Sequence, residues 1–170
     1  MDQEITVRAG SAADAAAVAA LYTAGRRAAY AGLLPPELLG EEMAAAQAEL
    51  WAIRLTVDYG DPAATPVLLI AEAAGRPVGF AYVVPEPDGR ALLDSLYVHP
   101  ARTGSGIGRL LLAAARDRGD GPLRLEVLAG NTRAVAFYER EGGRRTAEST
   151  AHFSAGHTLP TYEYTWPLTA

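Results

Sequence analysis

Cysteine and lysine are both absent from the 170-residue chain. Without cysteine there can be no disulfide, no thiolate metal site and no thiol nucleophile, and such a chain suits a reducing compartment. The expected location is therefore cytoplasmic. Without lysine, all 15 basic residues are arginine, and the phosphate-binding P-loop, which needs a lysine, is excluded. Long apolar runs are also missing: the longest are alanine-rich or strand-length, well short of the roughly 18 residues that cross a bilayer. No membrane association is expected. The first residues, Met1-Asp2-Gln3-Glu4, carry neither the basic stretch nor the apolar core of an export signal. Positive charge is scarce overall, with 20 acidic residues and a net charge of −5. That balance disfavours a nucleic-acid-binding surface and leaves room for a cationic small substrate.

What is present suffices for one compact domain spanning residues 1–170. Hydrophobic residues make up 49% of the sequence, enough for a core that needs no metal or disulfide, and no internal repeat or linker interrupts it. Clusters at Asp61-Pro62, Pro85-Glu86-Pro87-Asp88-Gly89 and Gly119-Asp120-Gly121-Pro122 read as turns. Ile5 and Val7 alternate with polar neighbours as in a half-buried strand, and Ser11 then caps a helix with Ala15, Val18, Ala19, Leu21 and Tyr22 inward. A second helical stretch, 36–55, breaks once and is expected to bury Leu38, Leu39, Met43, Ala46, Leu50, Trp51 and Leu55. Strands at 67–72 and 77–84 form a hairpin. A strand at 92–98, a helix at 107–116 and a strand at 123–128 then make a βαβ unit whose strands are parallel neighbours. A short helix at 132–140 and two late strands, near 144–153 and 161–167, complete an α/β order with an antiparallel front half.

The most informative segment joins that strand to its helix: Val98-His99-Pro100-Ala101-Arg102-Thr103-Gly104-Ser105-Gly106-Ile107-Gly108-Arg109. Glycines let the backbone turn tightly and approach a ligand, and the first N–H groups of a helix have no intrahelical acceptor. With the positive end of the helix dipole, they suit an anion such as a pyrophosphate. The plainer alternative is a glycine-rich turn that only reverses direction. The dinucleotide fingerprint Gly-x-Gly-x-x-Gly would need glycine where Arg109 stands.

In these residues the chain resembles the GNAT acetyltransferase superfamily, whose motif is a strand, a Val-x-Pro corner, then Arg/Gln-Gly-x-Gly-x-Gly/Ala opening a helix. Val98, Pro100, Gly104, Gly106 and Gly108 fall on that pattern; Thr103 takes the Arg/Gln position, with Arg102 one residue earlier. Downstream, Asn131, Ala134, Phe137, Tyr138 and Gly142 match the family's second motif, Asn-x-x-Ala-x-x-Phe-Tyr-x-x-x-Gly-Phe, with Gly143 in place of the final aromatic. The stretch from Arg26 through Tyr30 to Gly32-Leu33-Leu34-Pro35 resembles one common among small bacterial members.

The resemblance implies a GNAT fold: a mostly antiparallel mixed sheet of six to seven strands with a parallel βαβ switch, flanked by about four helices. It implies acetyl-CoA as cosubstrate, held by Leu96, Tyr97, Val98, Arg102, Thr103, Gly104, Ser105, Gly106, Ile107, Gly108, Arg109, Asn131, Phe137 and Tyr138. Tyr138 would protonate the leaving thiolate, and splaying of the strand ending at Val98 from the strand beginning at Leu123 would admit the pantetheine arm and free backbone groups of Leu96 and Val98 to pair with it. Tyr138 could instead be an ordinary core residue, and Asn131 only a helix cap. Asp94 is the candidate base, with Glu126 and Glu72 as alternatives on neighbouring strands. By simple alternation Asp94 shares a face with Leu96 and Val98, while Ser95 and Tyr97 point the other way. The acceptor site would be walled by Arg26, Arg27, Tyr30, residues 31–35 and the tail from His152 to Trp166. His152 and His157 lack a third nearby ligand, so no metal is expected. The acceptor is expected to be a small-molecule or peptide amine, and the protein a monomer or homodimer. A CoA-sensing module without turnover and a protein N-terminal acetyltransferase are the competing functions.

Overall fold

The computed structural model describes residues 3–118 and 121–167, so part of the expected turn at 119–122 lies outside the described residues. The elements are β1 (Ile5–Ala9), α1 (Ala15–Tyr30), α2 (Glu41–Thr56), β2 (Val67–Ala73), β3 (Arg76–Pro85), β4 (Ala91–Val98), α3 (Ile107–Arg118), β5 (Leu123–Leu128), α4 (Thr132–Arg140), β6 (Arg144–His152) and β7 (Thr158–Trp166). The strands form one seven-stranded sheet in the order β1-β2-β3-β4-β5-β7-β6. Every neighbouring pair is antiparallel except β4 and β5. The expected class of mixed α/β sheet with a parallel switch is what the chain adopts.

Local chemistry explains the element ends. Ser11 and Asp14 form a capping box at the entry to α1, and the Asp14 carboxylate also takes the Arg8 guanidinium at 2.8 Å. The expected break falls at Gly40, whose extended backbone separates a 3-10 turn at Pro36–Leu39 from α2. Between β2 and β3 the two loop residues, Ala74 and Gly75, both have positive φ (51° and 76°), as the tight hairpin that matches strand twist requires.

Both faces of the sheet are buried. On one side α1 and α2 cover Leu68, Ile70, Phe80 and Tyr82 with Val18, Leu21 and Trp51. On the other, α3 and α4 cover Leu69, Leu93, Leu125, Tyr164 and Trp166 with Ile107, Leu111 and Tyr138. The helix α2 departs from the expected burial. Trp51 and Leu39 are buried as expected, but Ala46 is exposed and Leu50 is 36% exposed, beside Ile53 and Val57, which are half exposed. This helix anchors itself through Trp51, whose indole meets Phe80, Tyr82 and Tyr22 at 5.0–6.2 Å. Its other apolar residues do not converge on that one stripe.

Trp51 is fully buried, yet its indole N–H has no hydrogen-bond partner among the described residues. Urea unfolding should therefore show Trp51→Ala losing about 3–5 kcal/mol. Trp51→Phe removes the unpaired donor along with the volume and should lose less than about 1.5 kcal/mol.

Candidate active site

The parallel strands β4 and β5 pair only at their starts, Ala91 with Leu123 and Leu92 with Arg124. Beyond those two positions they part, although β5 remains paired with β7 from Leu123 to Leu128 and β4 with β3 up to Val98. Each strand thus keeps one partner and presents an open edge to the gap. The cause lies within β4. Tyr82 pairs with Ser95 and Val83 with Leu93, so Asp94 is an extra residue with no opposite number. A β-bulge of this kind bends its strand and adds twist, which carries β4 away from β5.

The bulge also corrects the expected orientation of Asp94. Leu96 and Val98 pack with the core beneath α3, as alternation demands. Asp94, however, faces α2: Arg54 Nη1 donates to its Oδ2 at 3.3 Å, and Ser95 Oγ donates to the same oxygen at 2.8 Å. Asp94 therefore lies on the side of Tyr97, whose ring meets that of Tyr22 on α1 at 4.9 Å. Tyr97 can lie there because Gly25 has no side chain; a Cβ at Gly25 would fall 2.4 Å from the ring.

A cavity of about 230 Å³ occupies the gap. Its walls include Leu93 to Tyr97 from β4 and Leu125 to Leu128 from β5. One end reaches Tyr22, Arg26 and Arg54 on the α1–α2 side, and the other reaches Asn131, Ala134 and Tyr138 at α4. The loop after α1 leans across the gap, with Leu33 packed so close to Gly130 that a Cβ there would fall 2.9 Å from it. Tyr30 meets Phe153, beside the β6–β7 turn, edge to face at 6.3 Å. Of the expected acceptor wall, Arg26 and Tyr30 border the cavity. Arg27 instead donates through Nε to the Leu39 carbonyl at 2.6 Å, which ties α1 to the turn before α2.

The glycine segment follows a 3-10 turn, Pro100–Arg102, capped by His99 Nδ1, which accepts from Ala101 N at 3.1 Å. Gly104 and Gly106 have φ of 85° and 86°, and Gly108 lies inside the first turn of α3. Among the described residues, no main-chain N–H from Thr103 to Arg109 finds a protein acceptor. The side chains are otherwise engaged: Arg102 donates to Gln3, Thr103 to the Pro100 carbonyl, Ser105 to the Arg102 carbonyl, and Arg109 pairs with Glu141 at 3.5 Å. An anion here would meet backbone amides first. Arg133, which the motifs did not single out, brings its Nη2 within 3.7 Å of where a Gly104 Cβ would be. Its place in the first turn of α4, between two motif residues, was the available signal.

On α4, Asn131 caps the helix, its Oδ1 accepting from Ala134 N at 3.3 Å, while the residue also borders the cavity. Phe137 lies against Gly108, where a Cβ would be 3.4 Å from its Cζ. Tyr138 is buried among Phe137, Trp166 and Tyr164, with ring centroids at 5.2, 5.9 and 6.3 Å. Burial pushes its phenol above the ordinary value, and the nearby Tyr30 adds to the shift. Gly143, where the family has an aromatic, sits under Trp166, 2.7 Å from a Gly143 Cβ position to Cζ2. No group of three potential metal ligands occurs among the described residues, and no described helix is long and apolar enough to cross a membrane.

Comparisons with known proteins agree with this layout. A sequence model of the acetyltransferase (GNAT) family matches residues 20–143. A mycothiol acetyltransferase from Thermomonospora curvata is 38% identical over 77 residues, which is 45% of this chain and 26% of that protein. The chain thus spans about a quarter of the length of that curated relative. The crystal structure of a GCN5-related N-acetyltransferase from Rhodopseudomonas palustris superposes with a TM-score of 0.75 at 27% identity, covering 99% of both chains. At 20% identity, the PaiA N-acetyltransferase from Thermoplasma acidophilum, solved with coenzyme A, shares the fold with a TM-score of 0.73, covering 96% of this chain and 99% of that one.

The two inner glycines should respond differently to alanine. At Gly106 the positive φ makes any side chain strained, so Gly106→Ala should cost about 1–2 kcal/mol in urea unfolding. At Gly108 the new methyl only touches Phe137, and alanine favours the helix by about 0.8–1.0 kcal/mol over glycine, so Gly108→Ala should show no loss.

Proposed function

The chain belongs to the acetyltransferase (GNAT) family, which uses acetyl-CoA, and from that membership we propose that this protein transfers an acetyl group from acetyl-CoA to an amine by direct attack. The observation that carries the proposal is the gap between β4 and β5, lined by open strand edges and flanked by the amides of the glycine loop. The loop amides from Thr103 to Arg109 take the diphosphate, with Arg133 beside them supplying positive charge. The open edge of β4 around Leu96 and Val98 offers main-chain groups to the pantetheine arm, and Asn131 and Phe137 border its path. The same main-chain donors favour the charge that builds on the carbonyl oxygen during attack.

The roles on either side of the gap follow from position. Asp94, brought to the α1–α2 side by the bulge, accepts the proton that an ammonium must lose before it is nucleophilic. Tyr138, at the α4 end of the same cavity, donates the proton to the leaving sulfur. A small amine is favoured over an extended peptide because Leu33 and the Tyr30–Phe153 contact close the acceptor end. A cytoplasmic location agrees with the absence of cysteine.

Thiol-release kinetics with acetyl-CoA should show Tyr138→Phe losing about 100-fold or more in kcat, with CoA affinity held within twofold by calorimetry. A sensing module would show no wild-type turnover to lose. Because the folded phenol lies above its usual value of about 10, Tyr138 stays protonated through neutral and mildly alkaline pH. Any fall in kcat from its ionisation should therefore begin only above about pH 10, and a limb near pH 8 that Tyr138→Phe abolishes would contradict its assignment as the acid.

A further inference from the structure

The α1–α2 end of the cavity contains a cation that no carboxylate neutralises among the described residues. Arg26 projects from α1 with its guanidinium carbon 4.7 Å from the Tyr30 ring centre, 5.4 Å from Tyr22 and 5.7 Å from Phe153. It donates one hydrogen bond, to the Tyr22 hydroxyl. Among the described residues no carboxylate lies within ion-pair distance of it, whereas the other cavity arginine, Arg54, is paired with Asp94 at 3.3 Å. Neighbouring Arg27 is spent on the Leu39 carbonyl.

A guanidinium has five N–H donors in one plane. Aromatic rings offer it their π faces, but they supply no lone pairs to those in-plane donors. Partly burying such a group without a counter-charge is unfavourable unless a ligand provides one, and the ligand chemistry that matches a planar fork is a carboxylate or another two-oxygen anion. At the gap the cavity presents the opposite charge, the Asp94 carboxylate with Ser95 beside it. Tyr22 lines the same cavity, accepts a hydrogen bond from Arg26 and feels the charges of both Arg26 and Asp94. The cavity, at about 230 Å³, is smaller than the ~300–1,000 Å³ of pockets that take drug-sized ligands.

Resting on the acyl-transfer reading above, we propose that the acceptor is a free amino acid or a close relative, with Arg26 gripping its anionic group and Asp94 facing its amine. Arg26 is then the residue that sets acceptor specificity. The net charge of −5 leaves room for a cationic substrate, but charge around the cavity is local and of both signs.

The test is thiol-release kinetics on wild-type protein with matched pairs: free L-amino acids against their carboxamides, which lack the anionic group and are compared at a pH where both amines are largely unprotonated, with polyamines and aminoglycosides as cationic controls. The best acid should exceed its amide by 30-fold or more in kcat/KM. Arg26→Gln should raise KM for that acid by a similar factor, Arg26→Lys should restore part of the loss, and acetyl-CoA affinity should stay unchanged in both. The wild-type comparison stands even if a variant folds poorly. Equal rates for acid and amide, or turnover with polyamines alone, overturn the inference while leaving acetyl transfer intact. Absence of acetyl-CoA binding to folded wild type overturns the acyl-transfer reading instead, and this inference with it.

Discussion

Two residue pairs, Ala91 with Leu123 and Leu92 with Arg124, make up the whole β4–β5 ladder among the described residues, and the bulge at Asp94 follows directly after them. Main-chain N–H and C=O groups are strong hydrogen-bonding groups that folded proteins seldom leave without partners. A sheet that opens in its middle leaves two facing edges in need of partners. The fold tolerates this because β3 holds one side of β4 and β7 holds the far side of β5 along its whole length, while cores above and below the sheet hold both halves in place. In the proposed function, an arm carrying amide groups, threaded between the strands, would supply the missing partners.

The same bulge divides the chemistry. By adding one residue it places Leu96 and Val98 towards α3 while Asp94 and Tyr97 face α1 and α2. The cavity therefore runs from α4 to the α1–α2 side of the sheet, with Tyr138 at one end and Arg26 at the other. The aromatic residues around Arg26 come from α1 and from the segment after β6, so elements distant in sequence build this end of the cavity together. It combines a guanidinium that has no carboxylate partner among the described residues with the Asp94 acid, whatever the sign of the whole molecule's charge.

Much of this was legible in the residues because its causes are local. The bounds expected for β5 and α4 are those observed, since Asn131 caps the helix with its own side chain and the strand before it is a continuous apolar alternation. The glycine loop announces itself because only glycine readily takes a φ near 85°. The orientation of Asp94 was not legible: period-two alternation assumes an unbroken ladder, and the bulge is set by pairing with β3, where Val83 with Leu93 and Tyr82 with Ser95 bracket the extra residue. Nor was the burial of α2, whose apolar residues are spread around the helix so that only packing decides which one is the anchor. Arg133 escaped notice because its nearness to Gly104 depends on how α4 docks against the loop.

Amide hydrogen exchange, with and without CoA, tests the central claim most directly. CoA should bring new protection at the N–H groups between Thr103 and Arg109 and along the open edges of β4 and β5, with little change in β1, β2 and β6. Folded protein that binds CoA yet gains protection elsewhere, leaving the loop and the gap as open as before, would contradict it.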